Sequence, residues 1–291
     1  MQGFFCRFSP KPQCAVDLLP SNGEFSISSG VPDIDGLVGG SGFESGHIYE
    51  LFGPPDSGKT QLALSLAAHC ALSRALRTNV LYLDVKGDFS AERLSQIIRE
   101  RSSQVGREVD GRLDKVRLKR IFTIAELTDS LDCVEGLVRE SDGHPDPFWV
   151  HARLLVIDNV ASLVYPEMDD DHLGDDRVSG DRMKEIFGGV QVAVGALQKL
   201  ASEHRMCVLI INNAVAGNDD DEGDGDSSAD CLRPSLGRIL NNAADVRLKV
   251  TADGLGGTSR TVSVERGMRL VPGATCKITL TERGWDERNR N

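Results

Sequence analysis

No apolar run in this 291-residue chain approaches the roughly 20 residues that a membrane helix needs. That argues against a spanning helix. Met1 to Phe8 is partly apolar, but Arg7 interrupts it and no signal-peptide core follows. The expected location is therefore cytosolic or nuclear. Cysteines lack any framework: seven are scattered, at 6, 14, 70, 133, 207, 231 and 276, with no C-x-x-C pair. The odd count and the scatter argue against a disulfide framework and against a structural zinc site. Cys70 and Cys207 lie in apolar stretches and read as small buried hydrophobes. Aromatics are few, at 5 %, but a hydrophobic content of 40 % suffices for a substantial core. The length accommodates one large α/β domain or two small ones.

An overall basic excess is also lacking, since the net charge is −11. That charge is not spread over the fold. Segment 166–181 has seven acids against one base, Arg177, and segment 217–230 has seven acids and no base. Together they hold −13, so the rest of the chain carries about +2. The two segments read as solvated loops.

What is present is sharper. Gly53-Pro54-Pro55-Asp56-Ser57-Gly58-Lys59-Thr60 is a complete G-x-x-x-x-G-K-[ST] phosphate loop. The glycines allow successive backbone N–H groups to turn toward phosphate oxygens. Lys59 can reach the β- and γ-phosphates, and the Thr60 hydroxyl can ligate Mg²⁺. The flanks fit. Ile48 to Phe52 reads as a strand, and Thr60 to Arg77 as a helix whose N-terminus adds partial positive charge.

Strand and helix patterns then alternate. Strands are expected at 79–84, 116–122, 153–158 and 207–212, and helices at 90–101, 124–140 and about 182–204. Three alternating runs at 245–251, 260–265 and 275–281 look like hairpin strands. Residues 1–26 read as a flexible arm, 27–285 as the core and 286–291 as a tail. The fold class is α/β: a mainly parallel sheet flanked by helices, with a C-terminal antiparallel extension. Asp158 closes an apolar strand, the place where a carboxylate holds Mg²⁺ or its water in phosphate-loop proteins.

The stretch Ile27-Ser28-Ser29-Gly30, then Gly39-Gly40 and Glu44 to Glu50 before the loop, resembles the entry to the ATPase core of RecA-type recombinases. Gly58-Lys59-Thr60-Gln61, Leu81-Tyr82-Leu83-Asp84, Glu92-Arg93-Leu94, Leu154 to Asp158 and Val208 to Asn213 fit the same RecA-like phosphate-loop core. Arg233 to Arg238 followed by Asp245-Val246-Arg247-Leu248 is most similar to the eukaryotic recombinase paralogues, and among them the delta paralogues. The resemblance covers roughly residues 27–285. It implies binding of ATP with Mg²⁺ by Gly53 through Gln61 and Asn213, with Thr60 and Asp158 at the metal. It also implies homologous recombination and DNA double-strand break repair in the nucleus. There such proteins work in hetero-oligomers with other recombinase paralogues, assisting the recombinase filament on single-stranded or branched DNA.

Four departures bear on mechanism. Lys86 stands where the recombinases carry the glutamate that polarises water, and a charged lysine is a poor base. Asp88 is an alternative base. Asn213 stands in place of a glutamine, one methylene shorter, and could also be half of a turn-forming Asn pair. The acidic segments occupy the positions of the two DNA-binding loops, and carboxylates repel phosphates. Arg233, Arg238 and Arg247 are the better DNA candidates, with the run Arg112-Lys115-Arg117-Lys119-Arg120 readable either as a DNA surface or as a solvated edge. Finally, only about 26 residues precede the core and no Phe-x-x-Ala motif is visible, so self-assembly into filaments is not expected.

The expected function is an ATP-binding recombination factor with weak or absent hydrolysis. The alternatives are a DNA-stimulated ATPase with its own strand exchange, and a phosphate-loop kinase unrelated to DNA. A kinase lid needs several arginines, and Arg177 and Arg182 alone lie near the first acidic segment.

Overall fold

The structure is a computed structural model and describes residues 25–73, 77–103, 112–141, 144–164, 176–216, 232–240, 242–254 and 256–287, with backbone alone at 176–183, 238 and 239. The second acidic segment, and the first up to residue 175, lie outside the described residues, as do the side chains of Arg177 and Arg182.

The chain runs β1 (Ser26–Ile27), α1 (Pro32–Leu37), β2 (Phe43–Glu44), β3 (Ile48–Gly53), α2 (Lys59–Leu72), β4 (Asn79–Asp84) and α3 (Ala91–Ser103). It continues through β5 (Val116–Arg120), α4 (Ile124–Arg139), β6 (Ala152–Asp158), α5 (Asp176–Ser202), β7 (Cys207–Ala216), β8 (Leu232–Pro234) and α6 (Gly237–Leu240). It closes with β9 (Val246–Ala252), β10 (Ser259–Gly267), β11 (Thr275–Thr281) and β12 (Gly284–Glu287). The main sheet has the order β12-β11-β10-β9-β3-β7-β6-β4-β5, with β8 paired to β7. Strands β9, β3, β7, β6, β4 and β5 are parallel, and β9 to β12 are joined antiparallel. This is the expected RecA-like architecture.

Alternation along each central strand builds two cores. Tyr49, Leu51, Val80, Tyr82, Leu154, Val156, Leu209 and Ile211 face the layer of α2 and α3. Ile48, Leu81, Leu83, Leu155, Ile157, Val208 and Ile210 face the layer of α4 and α5. Both faces are covered, so the strands read as continuous apolar runs. Helix α4 starts where Thr123 accepts a hydrogen bond from the Glu126 N–H at 3.1 Å. The Glu126 carboxylate accepts in return from the Phe122 N–H at 2.8 Å, a reciprocal cap.

Several boundaries differ from expectation. Helix α2 ends at Leu72, not Arg77, because Ser73 turns extended, at φ −69° and ψ 124°. Helix α5 begins at Asp176, six residues before expected. Strand β7 continues to Ala216 because β8 pairs with its end. Strand β12 has too few residues to show a period, yet it pairs with β11 as far as Glu287. At the other end Ser26 already pairs with Glu44, so the described chain joins the fold there.

A buried polar cluster ties three central strands together. Glu50 on β3 is fully buried; one carboxylate oxygen accepts from Asn212 Nδ2 of β7 at 2.7 Å and the other from Arg247 Nε of β9 at 2.6 Å. The Ser235 hydroxyl donates to Asn212 Oδ1 at 2.5 Å and extends the cluster to the turn after β8. Removing one partner of a buried pair leaves the other charge uncompensated, so Glu50→Ala is expected to cost about 3–5 kcal/mol. A Glu50→Met, Arg247→Met double variant recovers most of that loss. Urea unfolding of the three proteins measures both.

Candidate nucleotide site

Strand β3 delivers the chain to the C-terminal edge of the parallel strands at Gly53, between β9 and β7. A Cβ on Gly53 would collide with the Val250 carbonyl oxygen and lie 3.0 Å from Ser57 Oγ, so only glycine allows β9 this close. Pro54 to Ser57 form the turn, with Asp56 at φ 59°. Gly58, at φ 97°, is the residue before α2. The first turn of α2 therefore presents backbone N–H groups that have no carbonyl partners within the helix.

The Lys59 ammonium folds back onto its own loop. It donates to the carbonyls of Gly53 at 2.9 Å and Pro54 at 2.7 Å, and lies 3.4 Å from Ser57 Oγ. Burial pushes its pKa down to about 8, against the pull of the Asp158 carboxylate. Across the cleft, Asp158 Oδ2 accepts from Thr60 Oγ1 and from the Tyr82 hydroxyl, each at 2.7 Å. Burial raises the Asp158 carboxyl above its ordinary value, and those two hydrogen bonds pull the other way. Asn159 Nδ2 donates to Asn213 Oδ1 at 2.7 Å and holds Asn213 at the cleft wall.

Gly58, Lys59, Thr60, Asp158, Asn159 and Asn213 line one cleft of about 460 Å³, which also takes in Pro55, Asp56, Gln61, Lys86, Asp88 and Leu280. A second cavity of about 480 Å³ opens at the other end of the parallel strands, among Phe25, His47, Arg205 and Met268, and includes none of the phosphate-loop residues. Volume alone does not distinguish the two; the loop, the helix end, the lysine and the carboxylate do.

The donor set fits a nucleotide with Mg²⁺. The described residues contain no cluster of three His, Cys, Asp or Glu side chains that could hold a metal unaided. Mg²⁺ is commonly bound by one or two protein oxygens plus phosphate and water. Thr60 and Asp158 supply such oxygens, side by side. Gln61 lines the cleft, and its Oε1 accepts from Arg93 Nε at 2.9 Å.

Lys86 lies at the cleft mouth, exposed and 3.2 Å from Asp88. The turn that carries it is fixed by Asp84, whose carboxylate accepts from the N–H groups of Gly87, Asp88 and Phe89. No carboxylate occupies position 86, and Asp88 is engaged by Lys86.

The DNA candidates separate. Arg247 is not on a surface: β9 is an internal strand, and the side chain points inward to Glu50. Its proposed DNA contact is withdrawn on that ground. Arg233 is exposed on β8. The Arg238 side chain lies outside the described residues. The basic run is the outermost strand β5 with its approach. Arg117 there pairs with Asp146 at 2.5 Å and stacks 4.0 Å over the Phe148 ring, a structural use of one of its charges.

Sequence reasoning passed over Tyr82, Asn159 and Glu50 as functional residues. For Tyr82 a signal existed, since it lies two residues before Asp84 on a strand and so shares that residue's face.

A phosphate loop at the end of a central parallel strand, facing a strand-end carboxylate, defines a phosphate-loop protein of RecA-like fold. The particular family follows from sequence comparison. The model of the Rad51 family matches residues 23–288, and the chain belongs to that family. It is similar to DNA repair protein RAD51 homolog 4 of Bos taurus, 28 % identical over 89 % of this chain and 72 % of the relative. The Mus musculus protein of the same name is 26 % identical over 90 % and 73 %. Similarity extends to the Meiotic recombination protein DMC1 homolog of Lilium longiflorum, 28 % identical over 79 % of this chain and 59 % of the relative.

The close approach at Gly53 generates a test. Gly53→Ala must displace β9 or the loop, at a cost of about 1–3 kcal/mol in unfolding free energy. Chemical denaturation compared with Gly136→Ala, where a Cβ meets nothing within 4 Å, isolates the effect.

Proposed function

We propose that this chain is an ATP-binding recombination factor that acts in homologous recombination and DNA repair, in the nucleus, as a subunit of a complex with other recombinase paralogues. Membership of the Rad51 family and the names of its DNA-repair relatives support the recombination role. The observation that carries the ATP reading is the meeting of Lys59, Thr60 and Asp158 at the N-terminus of α2. In this reading Gly53 to Gln61 and Asn213 bind the nucleotide, and Thr60 and Asp158 hold Mg²⁺. The metal would neutralise phosphate charge, while the protein positions the phosphates and restricts water. The unit that does this is the 27–285 core.

Hydrolysis is slow in this proposal, because Lys86 stands at the base position and loss of a general base costs about 10²–10⁴ in rate. Single-turnover hydrolysis with and without single-stranded DNA tests it. The expected result is ATP binding, lost in Lys59→Ala, with little turnover and no response to DNA. Turnover stimulated by DNA would favour the alternative of a working motor. Lys86→Glu should raise the rate; an unchanged rate removes Lys86 as the explanation.

The partner reading rests on β5, which has no strand beyond it among the described residues. Leu118 is 41 % exposed and Phe122, just past its end, 70 % exposed. An open edge with apolar side chains accepts an added strand. Leu118→Lys with Phe122→Ala is expected to abolish co-purification with another Rad51-family chain and to leave ATP binding intact. An unimpaired complex would move the interface elsewhere. For DNA, Arg233 remains an exposed candidate, as do Lys119 and Arg120 of the basic run.

A further inference from the structure

The phosphate loop is held from outside by residues some 200 positions away in sequence. Arg260 on β10 donates through Nε to the Ser57 carbonyl at 2.9 Å and through a terminal nitrogen to the Asp56 carbonyl at 3.4 Å. Its other terminal nitrogen donates to the carbonyls of Gly257 and Ser259, at 2.7 and 2.8 Å, so the guanidinium is fixed from its own strand. Trp285 on β12 donates from Nε1 to the Gly58 carbonyl at 3.1 Å, and its backbone N–H donates to Ser65 Oγ of α2 at 2.9 Å. Arg260 and Trp285 are both buried. Against them Gly58 packs tightly: a Cβ there would lie 3.2 Å from Leu280 Cδ1 and 3.4 Å from Trp285 Nε1.

In a trans peptide the C=O of one residue and the N–H of the next point to opposite sides. Holding the Ser57 and Gly58 carbonyls outward therefore turns the N–H groups of Gly58 and Lys59 away from the hairpin, toward the cleft that those two residues line. Two adjacent N–H groups aimed at one point are an anion nest, and a preset nest binds phosphate without first ordering the loop. Arg260 also places a positive charge behind the loop.

We propose that Arg260 and Trp285 are positioning residues for nucleotide phosphate, so that the C-terminal antiparallel strands set the affinity of the phosphate loop. This rests on the ATP reading above and extends it to residues outside the loop motif.

The test uses the full chain with Mg²⁺ and ADP or ATP, followed by calorimetry. Trp285→Phe keeps the ring and removes the donor; Arg260→Met keeps the approximate length and removes donors and charge. Each is expected to weaken ADP and ATP binding about three- to tenfold, the value of one or two hydrogen bonds. In a Trp149→Phe protein Trp285 is the single remaining tryptophan of the two. Its emission should change on saturation with ADP and stay constant with adenosine, which lacks phosphates. If the wild type binds nucleotide and both variants bind it equally well, the inference fails and the ATP reading stands. Lower melting temperature with unchanged affinity likewise overturns it, since that is a purely structural role. If neither variant folds, the emission decides, and no change with ADP overturns the inference. A wild type that binds neither nucleotide overturns the ATP reading itself, and the inference with it.

Discussion

Strand β3 is buried along its whole length, with β7 on one side and β9 on the other. Every polar group on it must be satisfied inside the protein. The two parallel ladders satisfy the backbone. Glu50 is satisfied by Asn212 and Arg247, one from each neighbour, and this three-strand tie pins the register on both sides. Once the register is set, Gly53 must emerge beside Asn213, and Val250 must pass where a side chain on residue 53 would be. The place where the phosphate loop leaves the sheet thus follows from the register held three residues earlier at Glu50.

The loop and the strand end opposite it carry opposed electrostatic stress. Lys59 is a cation held away from water, and Asp158 an anion held away from water, with their pKa values moved in the directions that disfavour charge. Neither is adequately compensated by the other, because each spends its hydrogen bonds on nearby neutral groups. A phosphate beside Lys59 and a divalent cation beside Asp158 would supply both missing counter-charges. That complementarity is the physical content of the proposed nucleotide role. The turn after β4 tells a different story: Asp84 is consumed in holding the turn, and Lys86 projects into solvent. The phosphate-loop features are complete here, while position 86 offers a lysine and no carboxylate base.

Much of this was legible locally. The phosphate loop, the apolar strands and Asp158 each depend on residues within a few positions of one another, and local pattern reports them. Boundaries set by distant partners were not legible. The extension of β7 needs β8, and β12 exists only because β11 and the α2 surface receive it. Arg247 is the clearest case. Beside Asp245 and ahead of Leu248 it reads as a surface arginine, and only the position of β9 next to β3 reveals its carboxylate partner 197 residues away.

The sequence by itself determined the phosphate-loop motif, the alternation of strands and helices, and the lysine at position 86, because those properties are written in consecutive residues. Only the tertiary structure decided what surrounds them. It chose which arginine is buried, which oxygen of Asp158 receives Thr60 and Tyr82, and which side chains of the C-terminal strands hold the carbonyls of the phosphate loop. The reason is physical: a hydrogen bond has a direction and a length of about 3 Å, and no spacing along a chain reports a contact made across 200 residues of it.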